Sequence, residues 1–236
     1  MNRPYVLVNV AMSLDGKIDT AVRRGAAISS AADKRRVDEL RAGVDAVLVG
    51  GRTLIDEDPK LTVRDAGLRQ DRLRRGLPEN PAKVGVVSVA DLRPDGDFVR
   101  AGPAERLVFT TRRTAPGQIS RLEKAGVQVY VSGPERVELP EMLATLHRLG
   151  IRRLLVEGGG TLLAEFFRLG LVDEVSVYIA PRIFGGASAP TLADGPGFGL
   201  GQAPRLQLVS AETFDAQGGI LLRYSIPQGN GGEAAA

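Results

Sequence analysis

The chain has 236 residues, of which 43% are hydrophobic and 25% are charged, and its formal net charge is +3. This length fits one large α/β domain or two small ones, and since no interdomain linker is evident we predict a single domain over residues 1–227, followed by a disordered tail, QGNGGEAAA, at residues 228–236. No segment approaches the ~18 apolar residues of a membrane span, and the N-terminus lacks the apolar core of a secretion signal. The lack of cysteine excludes disulfides and cysteine nucleophiles, so we expect a cytoplasmic protein without a membrane partner.

Apolar strand-like runs alternate with helix-like runs along most of the chain. This alternation predicts a mostly parallel sheet with helices on both faces. Two later runs, Leu206–Phe214 and Gly219–Ile226, are joined by DAQG and predict a C-terminal antiparallel hairpin. Residues 65–81 are rich in arginine and turn formers, and we predict an exposed loop there. The other predicted strands are Tyr5–Ala11, Ala46–Val49, Val84–Val89, Arg106–Thr110, Val127–Val131, Arg153–Glu157 and Glu174–Ala180; the predicted helices are Ser30–Ala42, Gly117–Ala125, Pro140–Leu149 and Thr161–Leu169.

Few side chains are available for acid–base or metal chemistry. The single histidine, His147, falls in a predicted helix, so a Ser-His-Asp hydrolase is disfavoured. The carboxylates have no spacing typical of metal ligands, and we predict no metal site. Arginines cluster in RLRRGL at Arg72, Arg74 and Arg75, but aromatic residues are not interleaved with them. We therefore expect no nucleic-acid binding.

Two glycine turns point to a ligand that carries phosphate. In Ile151–Leu169, IRRLLVEGGGTLLAEFFRL, a strand-like run leads into three glycines and then a helix that Thr161 could cap. Glycines allow close approach to the backbone, and the free N–H groups at a helix start favour an anion. Gly50-Gly51-Arg52-Thr53 follows another predicted strand. Since parallel strands end at one edge of a sheet, two such turns favour a dinucleotide, with purely structural turns as the alternative.

Three further segments carry polar groups beside predicted strands. The acidic run Asp56–Asp58 could bind ribose hydroxyls or form a solvated turn, and Arg64 could reach an anionic substrate. The segment Asn9–Lys17 could surround a polar substrate, although Asp15 could equally be the Asx residue of a Leu-Asp-Gly turn. The loop 180–186, APRIFGG, could approach a ligand closely or place an apolar wall beside it.

Taken together, SLDGK, VGGRTLIDEDPKLTVR, LLVEGGGTL and LVDEVSVYIAPRIFGG resemble the reductases of riboflavin biosynthesis over roughly Arg3 to Phe198. The match is to the stand-alone reductases and to the reductase half of bifunctional deaminase-reductases, but the zinc signature of a deaminase is absent. The resemblance implies the dihydrofolate-reductase-like α/β fold, with a mostly parallel central sheet flanked by helices and a C-terminal antiparallel hairpin. It also implies a homodimer.

The implied reaction is hydride transfer from NADPH, with NADH as the alternative, to C1′ of a ribosylaminopyrimidine 5′-phosphate, which gives a ribitylamino product. The cofactor-binding positions that the resemblance implies are Thr53, Glu57, Ser88, Gly159, Gly160, Thr161 and Leu162. The implied substrate-binding positions are Asn9, Arg41, Leu61, Arg64 and Glu157, and the implied catalytic positions are Asp15, Lys17 and Glu157.

The chain departs from the family pattern at three places, one of which is the segment 65–81, longer than the family leads us to expect. Glu57 stands where the family usually has aspartate, and Val86–Asp91 replaces a strand that usually ends in Asp-Ser and helps to hold NADP. These departures keep two alternatives open. One is a dihydropterin or dihydrofolate-type reductase on the same fold, and the other is a nucleotide-binding module without turnover.

Overall fold

A nine-stranded sheet forms the centre of the computed structural model, which describes residues 2–227. The strands are β1 Tyr5–Ser13, β2 Ala46–Gly50, β3 Ala82–Val86, β4 Arg106–Thr110, β5 Gln128–Val131, β6 Arg153–Val156, β7 Glu174–Ala180, β8 Gln207–Thr213 and β9 Ile220–Ser225. They follow the order β5-β4-β3-β2-β6-β1-β7-β9-β8. The pairings from β5 across to β7 are parallel, and those of β9 with β7 and β8 are antiparallel. The predicted fold class is confirmed.

Helices cover both faces of this sheet. They are α1 Ala31–Ala42, α2 Ala66–Arg74, α3 Asp97–Arg100, α4 Pro116–Lys124, α5 Leu139–Arg148 and α6 Gly160–Arg168, with a π-helical turn at Thr53–Glu57 and a 3₁₀ turn at Leu200–Gln202. A hydrophobic core lies on each face of the sheet, and successive residues of β1 pack into opposite cores. Val6 and Val8 pack on the side of α5 and α6, while Leu7 packs on the side of α4. Burial on both faces explains why the parallel strands are almost continuously apolar.

Two sequence predictions about local structure are wrong. Residues 65–81 contain α2, whose first turn is capped by the Asp65 carboxylate accepting the Leu68 N–H at 2.9 Å. Arg72 on this helix is only 1% exposed, because backbone carbonyls satisfy its guanidinium. The strand predicted at Val84–Val89 covers Ala82–Val86 instead, since the chain turns where the Ser88 carbonyl accepts the Thr111 hydroxyl at 2.6 Å.

The predicted tail at 228–236 lies outside the described residues. None of the helices in residues 2–227 has the length and apolar character needed to cross a membrane.

Candidate active site

The carboxyl ends of the parallel strands meet at one edge of the sheet, and the two glycine turns touch there. Because β2 and β6 are neighbours, the Gly50 N–H donates to the Gly158 carbonyl at 2.9 Å. A Cβ atom on Gly50 would lie 3.2 Å from the Leu162 Cβ, and one on Gly51 would lie 2.9 Å from the Val87 Cγ2. The turn after β2 therefore requires glycine for the close packing of neighbouring loops.

The three glycines after β6 differ in what a side chain at each position would encounter. Gly158 has a φ of +124°, which disfavours any other residue, and a Cβ on Gly160 would clash with the Thr191 carbonyl. A Cβ on Gly159 would meet only the Thr53 hydroxyl, at 3.9 Å, so the surface of Gly159 is open. α6 begins at Gly160 without any side-chain cap, and the predicted cap by Thr161 is therefore wrong. The first N–H groups of α6 thus have no capping side chain.

Glu157 immediately precedes these glycines and forms a bidentate ion pair with Arg41. The Arg41 Nε and Nη2 each donate to a Glu157 carboxylate oxygen at 2.7 Å, and Nη1 donates to the Thr62 carbonyl at 3.0 Å. Both side chains are largely buried, at 13% and 12% exposure. Burial disfavours the guanidinium charge, yet the Glu157 carboxylate outweighs it and raises the pKa of Arg41. Arg41 therefore stays charged, and the bidentate contact fixes the direction of both side chains.

This ion pair lies in a cleft of about 330 Å³ between α1, the segment that follows Ile18, and the chain around Arg64. The Asp38 carboxylate accepts the Arg64 N–H at 2.8 Å and the Asp65 N–H at 2.7 Å. Leu61 lies three residues before Arg64 in the sequence and is fully buried. Its φ of +50° is a strained conformation for a leucine. Arg64 and Lys34 are exposed at the cleft and form no ion pair among residues 2–227. The cleft therefore offers free cations beside a fixed, paired carboxylate.

Glu57 reaches the same cleft from the π-helical turn after β2. Loss of water around its carboxyl group and the nearby Asp19 carboxylate raise the pKa of Glu57, against a hydrogen bond from Thr53. Thr53 thus lies between Glu57 and the open surface of Gly159. Ser88 is half-buried at the neighbouring exit of β3.

Three of the residues implied by the resemblance have other partners. The Asp15 carboxylate accepts the Ser13 hydroxyl at 2.6 Å and the Gly185 N–H at 2.7 Å, and such bonds hold the pKa of Asp15 at about 2. The Lys17 ammonium donates to the Ala189 carbonyl at 3.4 Å. The buried Asn9 accepts from Arg36 Nη2 at 2.8 Å. None of Asp15, Lys17 and Asn9 lines the cleft.

On α1 the resemblance named Arg41 but not Lys34 or Asp38. Lys34, Asp38 and Arg41 all line the cleft, and their spacing of four and three residues places them on one face of a helix. That polar stripe was readable from the sequence. On the same helix, Arg36 donates to the buried Asp33 and to Ser176 on β7, which fixes α1 on the sheet.

Comparison with known proteins agrees with this architecture. Residues 4–218 match the model of the RibD C-terminal domain. The chain is 44% identical over 196 residues to the 2,5-diamino-6-ribosylamino-4(3H)-pyrimidinone 5′-phosphate reductase of Archaeoglobus fulgidus, covering 83% of this chain and 89% of that protein. It is 39% identical over 225 residues to the reductase of the same name from Methanothermobacter thermautotrophicus, covering 95% and 99%.

Among solved structures, Acinetobacter baumannii RibD superposes with a TM-score of 0.78 at 27% identity, covering 96% of this chain. The chain spans 59% of that RibD chain. The family match and the two archaeal relatives each cover most of the sequence, which shows that the chain belongs to the RibD C-terminal domain family.

Proposed function

We propose that the protein is a reductase of riboflavin biosynthesis that adds hydride to C1′ of a ribosylaminopyrimidine 5′-phosphate. One observation carries this proposal. Glu157, which pairs with Arg41 in the cleft, is only two residues from Gly159, whose open surface lies at the start of α6. A substrate in the cleft and a cofactor phosphate on the glycine turn would therefore lie side by side.

The residues at the glycine turn fit a nicotinamide dinucleotide. The uncapped N–H groups of α6 at Gly160, Thr161 and Leu162 are suited to a pyrophosphate, and Gly159 leaves room for one. Thr53 and Glu57 would contact the part of the dinucleotide nearest the cleft. When bound, the nicotinamide supplies the hydride, and the protein supplies position and electrostatics.

The cleft residues fit the substrate. Lys34 and Arg64 have free cationic groups for its 5′-phosphate, and Arg41 lies in the wall beside them. Leu61 is buried and does not line the cleft, so we assign it to the support of the segment that carries Arg64. In the proposed reaction the ribose ring would open to an imine, the imine nitrogen would take up a proton from solvent, and addition of hydride at C1′ would then give the ribitylamino group. The negative charge of Glu157 beside C1′ would favour the protonated, more electrophilic imine.

The contacts of Asp15 and Lys17 favour positioning over catalysis. Asp15 ties the exit of β1 to the loop after β7 through its bonds to Phe184 and Gly185. Asn9 belongs to the buried network of Arg36 under α1. We therefore assign these three residues to the support of the cleft and keep Glu157 as the catalytic group.

The direct test of the function is an assay of the purified protein with NADPH and the phosphoribosylamino-pyrimidine, followed by loss of NADPH fluorescence. Oxidation that depends on the pyrimidine supports the proposal. Dihydrofolate is assayed in parallel, and turnover of dihydrofolate alone would favour the pterin reductase. Binding of NADPH without oxidation by either substrate would favour a nucleotide-binding module.

We propose NADPH over NADH because free arginines flank the exit of β3. The loops after β2, β3 and β4 touch in turn, at Gly51 with Val87 and at Ser88 with Thr111. Arg52 and Arg112 on the outer two loops are exposed and form no ion pair among the described residues. Together with Ser88 they could bind the 2′-phosphate of NADPH, which NADH lacks.

Replacing both Arg52 and Arg112 by glutamine is expected to raise the KM for NADPH on the order of ten-fold and to leave that for NADH unchanged, because only NADPH carries the extra charge. Steady-state kinetics with each cofactor measure the effect. The control is Arg113→Gln. The Arg113 Nη1 lies 3.6 Å from the Glu135 Oε2, so this arginine is already paired and is not assigned to the 2′-phosphate. Equal use of both cofactors by the unmodified protein would contradict the assignment.

We also propose a homodimer through β8, the free edge strand beside β9. Leu206, directly before β8, and Leu208 and Val209 near its start are 43%, 55% and 56% exposed, and β8 pairs on one side only. Exposed apolar edges of this kind are normally covered by another chain. A second copy is the occupant, as the family resemblance implies.

The change of Leu208 and Val209 to aspartate is expected to give a monomer, because two buried charges would oppose association. Sedimentation velocity measures the mass. Leu14→Asp changes a residue that is 62% exposed away from β8 and is expected to leave the dimer intact. An unmodified protein that is monomeric at micromolar concentration would overturn the proposal.

A further inference from the structure

The arginine cluster RLRRGL contains a buried guanidinium that forms no ion pair with any carboxylate of residues 2–227. Arg72 is 1% exposed, and its Nη1 donates to the carbonyls of Ala42 at 3.0 Å and Val44 at 2.8 Å. Its Nε donates to the Pro78 carbonyl at 2.9 Å. A buried charge is costly unless its hydrogen bonds are satisfied, so this contact joins α2 firmly to the chain that it touches.

Of the three carbonyls that accept from Arg72, that of Ala42 ends α1 and that of Val44 lies two residues further along the chain. Ala42 is the last residue of that helix, and Arg75 donates to the same carbonyl at 2.9 Å. The last carbonyls of a helix have no intrahelical donors and carry partial negative charge, which two arginines neutralise here. The residue directly before Ala42 is Arg41, the partner of Glu157.

The other end of the α2 segment is also tied to α1. Asp38, one turn before Arg41, accepts the N–H groups of Arg64 and Asp65 just before α2 begins. The Arg41 Nη1 donates to the Thr62 carbonyl in the same segment. The chain from Thr62 to Pro78 therefore holds the last turn of α1 from both sides.

We propose that Arg72 is a positioning residue for the reductase reaction, an inference that rests on the proposed function. It fixes the last turn of α1 so that the Arg41 guanidinium meets the Glu157 carboxylate in register. Arginine is required here because its planar guanidinium holds several N–H donors in a fixed arrangement, which can reach all three carbonyls. A lysine has a single ammonium group and could not donate to the three carbonyls in the same way. The arginine-rich segment thereby supports the substrate side of the cleft.

A merely structural role would have a different signature. It would lower the melting temperature and leave the kinetic constants of the folded enzyme unchanged. A positioning role changes the KM for the pyrimidine phosphate, since Arg41 and Glu157 lie on that side, and spares the cofactor turn after β6. Displacement of catalytic groups by about 1 Å can cost on the order of a hundred-fold in rate, so a readable effect is expected from a small shift.

The experiment compares Arg72→Lys and Arg72→Gln with Arg74→Gln, a matched control whose side chain is 71% exposed on the same helix. Kinetics are measured below the melting temperature of every variant. We expect Arg72→Lys to raise the KM for the pyrimidine phosphate on the order of ten-fold, with the Kd for NADPH within about two-fold of the unmodified value. A crystal structure of Arg72→Lys is expected to show the Arg41–Glu157 pair displaced.

If Arg72→Gln fails to fold, Arg75→Gln serves instead, because Arg75 contributes one bond to Ala42 and is 47% exposed. It is expected to raise the same KM by a smaller factor. Unchanged kinetic constants in a folded Arg72→Lys, or an unmoved Arg41–Glu157 pair in its crystal structure, would overturn the inference and leave the proposed function standing. An unmodified protein without pyrimidine turnover would refute the function, and the crystal structure alone would then decide whether Arg72 positions Arg41.

Discussion

Glu157→Gln is expected to lower kcat/KM for the pyrimidine phosphate about a hundred-fold while the Kd for NADPH stays unchanged. Glutamine keeps the shape of the side chain but removes the charge that Arg41 requires. Removing a preorganised charged group from the reacting centre costs on the order of a hundred-fold in rate. Breaking the buried ion pair also destabilises the fold, by about 3 kcal/mol, so kinetics are measured below the melting temperature of the variant. The cofactor turn begins one residue later, but its backbone N–H groups do not depend on that charge.

The measurement combines steady-state kinetics with fluorescence titration of NADPH. Glu165→Gln is the matched control, because Glu165 pairs with Arg168 on the outer surface of α6. Double replacement, with Arg41→Gln added to Glu157→Gln, should recover stability without recovering turnover, since it removes the unpaired cation and not the need for the carboxylate. Unchanged kinetics in Glu157→Gln would remove Glu157 from the active site.

Gly159→Val is expected to weaken NADPH binding on the order of a hundred-fold and to affect folding less. At this position a Cβ atom would meet only the Thr53 hydroxyl, at 3.9 Å, so we expect a valine side chain to enter the space assigned to the cofactor phosphate. The same side chain would also keep a bulky anion away from the first N–H groups of α6.

The neighbouring glycine provides the contrast. A Cβ on Gly160 would clash with the Thr191 carbonyl and lie 2.9 Å from the Asp194 carboxylate, so Gly160→Ala should lower the melting temperature. Fluorescence titration and thermal unfolding of both variants separate the two effects. Normal NADPH binding by Gly159→Val would mean that the turn is structural, which was the alternative the sequence left open.

Local patterns were enough to predict the fold class. The parallel strands are apolar because both faces are buried, and their positions were predicted to within a few residues. On α5, the apolar residues Leu139, Met142, Leu143 and Leu146 follow the helical period and lie in the core. In each case the information lies in a short stretch of sequence.

The remainder depends on partners that are distant in sequence. The prediction of an exposed loop around Arg72 is wrong. An arginine can be buried when three backbone carbonyls accept its hydrogen bonds, and no local sequence pattern indicates where those carbonyls lie. The orientation of the Asp15 carboxylate likewise depends on the N–H groups of Phe184 and Gly185, and that of the Asn9 side chain depends on Arg36. The resemblance to a family could name such positions but could not assign their contacts.

The position of β1 in the sheet has a consequence for the order of assembly. Its neighbours are β6 and β7, so Tyr5 pairs with Arg153 and Leu7 pairs with Glu174. β2, β3, β4 and β5 can pair with one another as they leave the ribosome, but β1 has no partner until β6 has been synthesised. Arg41 likewise has no carboxylate from Glu157 to pair with until the residue directly after β6 has been synthesised. The strand that joins β1 to β2 therefore brings Glu157 to Arg41 in the same event.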